Sequence, residues 1–391
     1  MANIDQLLAI ACREKASDLH LKAGSHPLLR VNGEMQPLRE WPRLTLEDTL
    51  SISCAIMTNR QKEKFKDHAE IDVAYGVSGL GRFRCNIHQQ RGSVALVFRI
   101  IETVVKPVKD LGLPSVIEKI AQEQRGLVLV TGATGSGKST SLAAMIDYIN
   151  SSRSGHIITI EDPIEFLHKD KKSFVTQREI DVDAVSFKSA LRGALRQDPD
   201  VILVGEMRDL ETVETALMAA ETGHLVLSTL HTLDATETIQ RIVSIFPPHH
   251  QQGVRLQLAS VLKAVVSMRL VRAVKGGRVP AVEVLISTGL IRDCIINQDK
   301  TGQIREAIAQ GRSQYGMQTF DQSLFDLYTK GLISYEEALR GATNPDDFKL
   351  QVRGVHSAAQ EQNATAPQTK AASQTMPQAV NGERLQLVRE R

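Results

Sequence analysis

Several large classes of protein are excluded by what this sequence has little of. It holds only four cysteines, at positions 12, 54, 85 and 294, with no Cys-x-x-Cys pair and no histidine nearby at zinc-ligand spacing. Neither a disulfide framework nor a structural zinc site is expected, and the thiols read as reduced and mostly buried. Aromatic residues make up 4% of the chain, and 47 basic residues stand against 45 acidic ones, a net charge of +2. A strand-tracking nucleic-acid enzyme wants basic grooves and stacking platforms, so that class and a lipid-binding surface of broad positive charge are both disfavoured. No apolar run approaches the ~20 residues that cross a bilayer. The short run Leu7–Ala11 follows Asp5, which does not fit a secretory leader. A cytoplasmic, non-integral protein is expected, one that docks on a membrane complex.

What is present is more specific. Gly132-Ala133-Thr134-Gly135-Ser136-Gly137-Lys138-Ser139 matches the phosphate-loop pattern G-x-x-x-x-G-K-[ST] at every fixed position. The apolar run Leu127–Thr131 before it predicts a buried parallel strand. Leu142, Ala143, Met145, Ile146 and Ile149 after it have helical spacing. Glycines let the loop turn its N–H groups onto phosphate oxygens, and the helix N-terminus adds favourable dipole potential. Lys138 can then reach the β- and γ-phosphates of a nucleoside triphosphate, and Ser139 can offer its hydroxyl to Mg²⁺.

The length of 391 residues and 42% hydrophobic content suit two packed domains. An α/β fold is expected throughout: a small N-terminal α/β domain over 1–101, a linker over 102–115, and a nucleotide-binding domain with C-terminal helices over 116–352. In the first, an amphipathic helix with Ile4, Leu7, Leu8 and Cys12 leads to the alternating strand at residues 17–21. Asn32-Gly33 signals a hairpin, and strands follow around Phe83–Ile87 and Val94–Ile101. Pro107, Gly112 and Pro114 mark the linker, where relative domain movement would occur. Strands at Ile157–Ile160, Val201–Val204 and Leu225–Thr229 then alternate with helical stripes at 187–195 and 210–220, which predicts a parallel sheet with the phosphate site at its carboxyl ends. After about residue 250 the pattern reads as mostly helical. The segment from about 353, rich in Ala, Gln, Thr, Ser and Pro, reads as a disordered tail, with at most a short basic helix at Arg384–Arg391.

Hydrolysis requires an acid to orient or deprotonate water and cations to neutralise the transferring phosphoryl group. Glu206 directly follows Val201-Ile202-Leu203-Val204-Gly205, where a Walker B acid belongs, although Gly205 stands where Asp is usual. Glu161, Asp162 and Glu165 follow another strand. His224 and His231 flank the strand at 225–229, and His231, at its carboxyl end, could sense the γ-phosphate.

Residues 131–139, Thr159-Ile160-Glu161-Asp162-Pro163-Ile164-Glu165, Gly205-Glu206-Met207-Arg208-Asp209, Glu221-Thr222-Gly223-His224 and Thr229-Leu230-His231-Thr232 together resemble the secretion-superfamily ATPases, and among them the type IV pilus retraction ATPases, the PilT family. Ala16-Ser17-Asp18-Leu19-His20-Leu21 and Gly316-Met317-Gln318-Thr319-Phe320-Asp321 extend the likeness over about residues 1–350. In that family the Walker B box has Gly in this place. The resemblance implies a PAS-like N-terminal domain, a RecA-like ATPase domain and a homohexameric ring in which each N-terminal domain packs on the neighbour's ATPase domain. Glu206 would be the main catalytic glutamate and Glu165 the acidic-box residue. His231 and His224 would form the His box. Arg84 and Arg99, with Arg82 as a substitute, would meet the nucleotide. The nucleotide contacts it implies are Thr134, Gly135, Ser136, Gly137, Lys138, Ser139, Thr140 and His224, with Mg²⁺ held by Ser139, Glu165 and Glu206.

The function so implied is an ATP-driven motor of pilus retraction and twitching motility. It would work at the inner face of the inner membrane on a platform protein, with a paralogous retraction ATPase as a further partner. Retraction members carry Ala-Ile-Arg-Asn-Leu-Ile near the C-terminus. Here Leu290-Ile291-Arg292-Asp293-Cys294-Ile295 keeps the Ile-Arg core but changes Asn to Asp and Leu to Cys, which leaves room for a PilU-like accessory paralogue. The nearest alternative is a pilus-assembly or type II secretion ATPase, but those carry a tetracysteine zinc module that these cysteines cannot build. A nucleic-acid translocase and a non-hydrolysing scaffold are the remaining alternatives.

Overall fold

Alternating apolar and polar residues build the first sheet. Its strands are β1 (Asp18–Lys22), β2 (Leu28–Val31), β3 (Glu34–Pro37), β4 (Glu70–Val77), β5 (Gly81–Gln90) and β6 (Ser93–Ile100), in the antiparallel order β3-β2-β1-β6-β5-β4. Phe83, Cys85 and Ile87 of β5 point into a core completed by Leu7, Leu8 and Ala11 of the helix Ile4–Arg13. The intervening Arg82, Arg84 and Asn86 lie on the other face. The computed structural model describes residues 3–31, 33–101 and 104–364, with side chains as far as Gly354. Asn32 of the expected hairpin pair is outside that set, though β2 and β3 do pair antiparallel around it.

The second sheet comprises β7 (Gly126–Thr131), β8 (His156–Glu161), β9 (Phe174–Glu179), β10 (Val201–Val204), β11 (Leu225–Leu230), β12 (Leu262–Arg272) and β13 (Arg278–Ile286), in the order β13-β12-β7-β11-β10-β8-β9. All neighbours are parallel except β12 and β13. β7 is buried along its whole length, Leu127 and Leu129 facing one apolar core and Val128 and Val130 the other. Such two-sided burial is why its sequence is a continuous apolar run. Helices Lys138–Ser152, Phe187–Ala194, Leu210–Glu221 and Ala235–Ser244 cover the faces, so the carboxyl ends of the parallel strands open on one edge.

Four features depart from the sequence reading. Past residue 250 the mostly helical stretch is interrupted by β12 and β13, which pair antiparallel; a helix precedes them at Gln251–Val261 and helices resume at Gly289. A continuous apolar run buried on both faces has no period to separate strand from helix. Edge strand β9 is half polar and carries no clear alternation signal, whereas β4, a strand beyond those expected, sets Ile71, Val73, Tyr75 and Val77 at alternate positions against the core. As far as Thr343 the described residues form one compact unit, a second beginning at Asn344, and Val108 and Leu113 of the expected linker are buried in one core of the second sheet. Finally, the helix Pro345–Ala364 continues past residue 353, where disorder was expected to begin. Its Ala- and Gln-rich turns are good helix formers. Residues 365–391 lie outside the described residues. No helix among the described residues is long and apolar enough to cross a membrane.

Candidate active site

β7 delivers the glycine loop to the carboxyl edge of the sheet. Gly132 has φ 137°, and a Cβ there would stand 2.5 Å from the Met268 carbonyl oxygen and 2.7 Å from Ser136 Oγ. Only glycine fits that approach. Gly137, at φ 97°, caps the helix Lys138–Ser152 and turns its first N–H groups towards the cavity. Lys138 Nζ donates to the carbonyl oxygens of Gly132 (2.8 Å) and Ala133 (3.1 Å) and lies 3.5 Å from His231 Nδ1.

From His231 the chain of contacts crosses the cavity. Its Nε2 is 3.1 Å from Glu206 Oε1, and Glu206 Oε2 pairs with Arg208 Nη2 at 2.6 Å. Partial burial pushes the Glu206 carboxyl up, but hydrogen bonds and charge from Arg208 and His231 outweigh it and hold the group below the usual carboxylate range. Burial lowers the Lys138 ammonium, against the opposing pull of Glu206 and Glu165. Glu161 goes the other way: burial raises it, although Thr159 Oγ1 (2.6 Å) and Gln177 Nε2 (3.2 Å) donate to it. Two glutamates with pKa values driven in opposite directions therefore share one site.

A cavity of 580 Å³ joins these groups. Thr134, Gly135, Gly137, Lys138, Ser139, Thr140, Glu165, Glu206 and His231 line it, as the sequence predicts. Ser136 does not; its Oγ is tucked under the loop near Gly132 and has no partner among the described residues. Gly205 now has a physical reason. A Cβ there would stand 3.1 Å from the Ile160 carbonyl oxygen and 3.3 Å from Glu161 Cα, so the approach of β10 to β8 is tight and favours glycine over an aspartate.

Other predicted residues lie elsewhere. His224 precedes β11 at the amino end of the sheet, where its Nδ1 meets the Ala219 carbonyl oxygen at 2.9 Å and its own carbonyl accepts the Gly126 N–H at 3.0 Å. Six residues of strand at about 3.3 Å each put it roughly 20 Å from His231. The expectation that His224 contacts nucleotide is corrected accordingly: it closes the helix Leu210–Glu221. Arg84 pairs with Asp72 at 3.3 Å and Arg99 with Asp18 at 3.1 Å, and neither lines this protomer's cavity. Arg82 reaches across instead to Glu179 at 3.0 Å.

Some lining residues escaped the sequence reading. Arg278 stands at the start of β13, just past the Gly276-Gly277 turn, and Leu270 lies on β12. The Gly-Gly pair is a hairpin signal, but it is readable only once the flanking strands are recognised. His168 also lines the cavity, and burial pushes its imidazole down to about 4.

A glycine loop between strand and helix at the carboxyl edge of a parallel sheet, facing an ionised glutamate across one cavity, defines a P-loop ATPase. The comparisons with known proteins agree. Residues 1–313 match the model of the family "Type II/IV secretion system protein". The chain is 47% identical to the type IV pilus retraction ATPase PilT of Pseudomonas aeruginosa over 88% of this chain and all of that protein. It is 42% identical to the type IV pilus ATPase PilU of the same organism over 89% of this chain and 91% of that one. A crystal structure of the pilus retraction motor PilT with bound ADP superposes with a TM-score of 0.83 at 47% identity, over 89% of this chain and 99% of that one. The chain belongs to the type II/IV secretion system protein family, as an ATPase of the PilT kind.

Proposed function

We propose that this ATPase powers the retraction of a type IV pilus, working as a ring of six against a platform protein at the inner face of the inner membrane. The contact chain Lys138–His231–Glu206 across the cavity carries the catalytic part of the reading. On ATP binding, Lys138 exchanges its two loop carbonyls for β- and γ-phosphate oxygens, which relieves the burial of an otherwise weakly solvated ammonium. Glu206, ionised and fixed from both sides by Arg208 and His231, orients and deprotonates the attacking water. His231 touches both groups, so loss of the γ-phosphoryl group is felt at once by the base and the lysine. Arg84 and Arg99 act in trans, on the neighbouring subunit's nucleotide.

The donor set suits Mg²⁺. Ser139, Glu165 and Glu206 present one hydroxyl and two carboxylates to the cavity, and no group of three or more metal-ligating side chains is preassembled among the described residues. An ion that takes one or two protein oxygens and completes its shell with phosphate oxygens and water matches that arrangement. When bound it supplies charge neutralisation between the β- and γ-phosphates.

Lys138→Ala should abolish phosphate release from ATP and twitching motility together; a motile Lys138→Ala strain would sink the reading. Retraction is favoured over assembly by the end-to-end match to a retraction ATPase. Deleting the gene and counting surface pili decides: more pili means retraction, none means assembly. An accessory motor is a second reading, favoured by Asp293 and Cys294 in the helix Gly289–Ile296, where Asp293 is committed to Lys300 at 2.6 Å. Retraction in a strain that lacks the sister ATPase would exclude it.

A further inference from the structure

Glu165 lies in a loop, residues 162–168, that is held in place by side chains of the edge strand β9. Gln177 Nε2 donates to the Phe166 carbonyl oxygen at 2.9 Å, and Gln177 Oε1 accepts the His168 N–H at 2.8 Å. Two residues along the same strand face, Glu179 Oε2 accepts the Ile164 N–H at 3.4 Å. Glu165 therefore sits between two backbone anchors, one at each neighbouring residue.

The two anchors differ in reach. Gln177 bonds only within the ATPase sheet and its loops. Glu179, 6% exposed, offers the same Oε2 to Arg82 Nη2 at 3.0 Å, and Arg82 belongs to β5 of the N-terminal sheet. Glu179 is itself rigidly placed. It faces Glu161 in the β8–β9 register, its amide donates to Asp183 Oδ2 at 2.9 Å, and its carbonyl accepts the Asp183 amide at 2.8 Å. Arg82 Nε is buried and has no partner among the described residues, and Glu179 is its ion-pair partner.

We infer that Glu179 is a positioning residue which makes the placement of Glu165 depend on where the N-terminal sheet stands. One carboxylate oxygen carries a charge-assisted bond to one sheet and a backbone bond to the acidic loop of the other. While Arg82 is engaged, the buried charge is compensated and Oε2 stays on Ile164. When the N-terminal sheet shifts and withdraws Arg82, an uncompensated carboxylate must turn to water. The Ile164 anchor is then lost and Glu165 loosens. Hydrolytic competence is thereby tied to domain position within one subunit. The inference rests on the reading of Glu165 as a residue that acts on ATP.

The test uses the full-length hexamer with Arg82→Gln, Glu179→Gln, both together, and the swap Arg82→Glu with Glu179→Arg. Each single change should lower kcat by roughly 10- to 100-fold, as expected for misplacing a catalytic group, with the affinity for a fluorescent ADP analogue unchanged. The double variant should be no slower than either single one, and the swap should recover part of the rate. Single variants at the wild-type rate, additive losses, or affinity falling in step with kcat would each overturn the coupling. If Arg82→Gln does not fold, Arg82→Lys, which keeps the charge but not the fork, must still lower kcat, and a wild-type rate overturns the proposal. Glu165→Gln, assayed alongside, separates the layers. A fast Glu165→Gln enzyme removes the reading of the site and this inference with it. A slow Glu165→Gln beside a fast Glu179→Gln removes the coupling alone.

Discussion

Two loops face each other across the 580 Å³ cavity, and they are held in opposite ways. The phosphate loop is fixed largely by its own residues: Gly132 and Gly137 supply positive φ, and Lys138 folds back onto the carbonyls of Gly132 and Ala133. The acidic loop around Glu165 is fixed by side chains from β9, and through Glu179 by an arginine some eighty residues away in the other sheet. A loop that carries its own constraints is conformationally independent of the rest of the protein. One held from outside can respond to it. The contrast suggests a division of labour in which nucleotide is gripped by a constant element and hydrolysis is governed by an adjustable one.

The contrast is broken most severely by Gly132→Ala. At φ 137° any side chain is strained by roughly 1–3 kcal/mol, and the new Cβ would meet the Met268 carbonyl oxygen at 2.5 Å. Backbone cannot yield as a flexible side chain can, so the loop must open. Nucleotide affinity measured by fluorescence titration should be lost, with no need to touch any group that contacts phosphate. Wild-type affinity in this variant would show that the loop is not held from within.

The matching change on the other side is Gln177→Leu. It leaves the Phe166 carbonyl and the His168 N–H without their partner, and Glu161 Oε1 with Thr159 alone, each orphan costing about 1–3 kcal/mol if it stays dry. The expected result is a drop in kcat of about tenfold, at the lower end of what misplacing a catalytic group costs, with nucleotide affinity kept. Equal losses in both constants would erase the distinction between the loops.

The sequence displays these two loops unequally for the same reason. Most constraints on the phosphate loop lie within eight consecutive residues, the Met268 carbonyl oxygen beside Gly132 being one from outside, and β7, β8, β10 and β11 around it are apolar runs that could be read directly. β9 is Phe-Val-Thr-Gln-Arg-Glu, an edge strand with an intermediate or exposed residue at all but its last position. Gln177 and Glu179 therefore carry no motif, and their role exists only because parallel pairing sets Thr159 beside Gln177 and Glu161 beside Glu179. The cavity wall at Leu270 and Arg278 was hidden similarly, by two strands whose burial on both faces removes any period.

A third loop extends the comparison at smaller effect. The segment after His231 enters the helix Ala235–Ser244, whose Ala235 N–H donates at 2.8 Å to Glu283 Oε1 on β13. Burial raises Glu283 to about 7; the Ala235 bond and the charges of Arg269 and Arg305 pull it down, and Asp234 pushes it further up. The native state thus holds a proton that the unfolded chain, with a glutamate pKa of about 4.3, releases. Stability should be highest below that unfolded value and fall as pH rises towards 7. Glu283→Gln should flatten this slope and stabilise the protein at pH 8 by on the order of 3 kcal/mol. Unfolding midpoints of both proteins at pH 5 and pH 8 check it, and parallel pH profiles would count against a buried proton at this carboxyl.

His224→Ala probes the opposite edge of the same strand and should have the smallest effect. The two histidines bracket β11, and motif alone makes them one box; the strand between them makes them two sites. His231 bridges Lys138 and Glu206, whereas His224 meets the Ala219 carbonyl oxygen and lies 3.3 Å from Thr222 Oγ1, at the end of a helix. Removing His224 gives up one or two partly exposed hydrogen bonds, about 1 kcal/mol of stability, and no group that faces the cavity. Nucleotide affinity of the isolated protomer should be unchanged, while His231→Ala, which frees Glu206 from one of the two neighbours that hold its carboxyl down, should raise the pKa seen in the acid limb of the rate profile. If His224→Ala weakened nucleotide binding, or moved that acid limb as His231→Ala should, distance along a parallel strand would not separate the two, and the corrected assignment of His224 would be wrong.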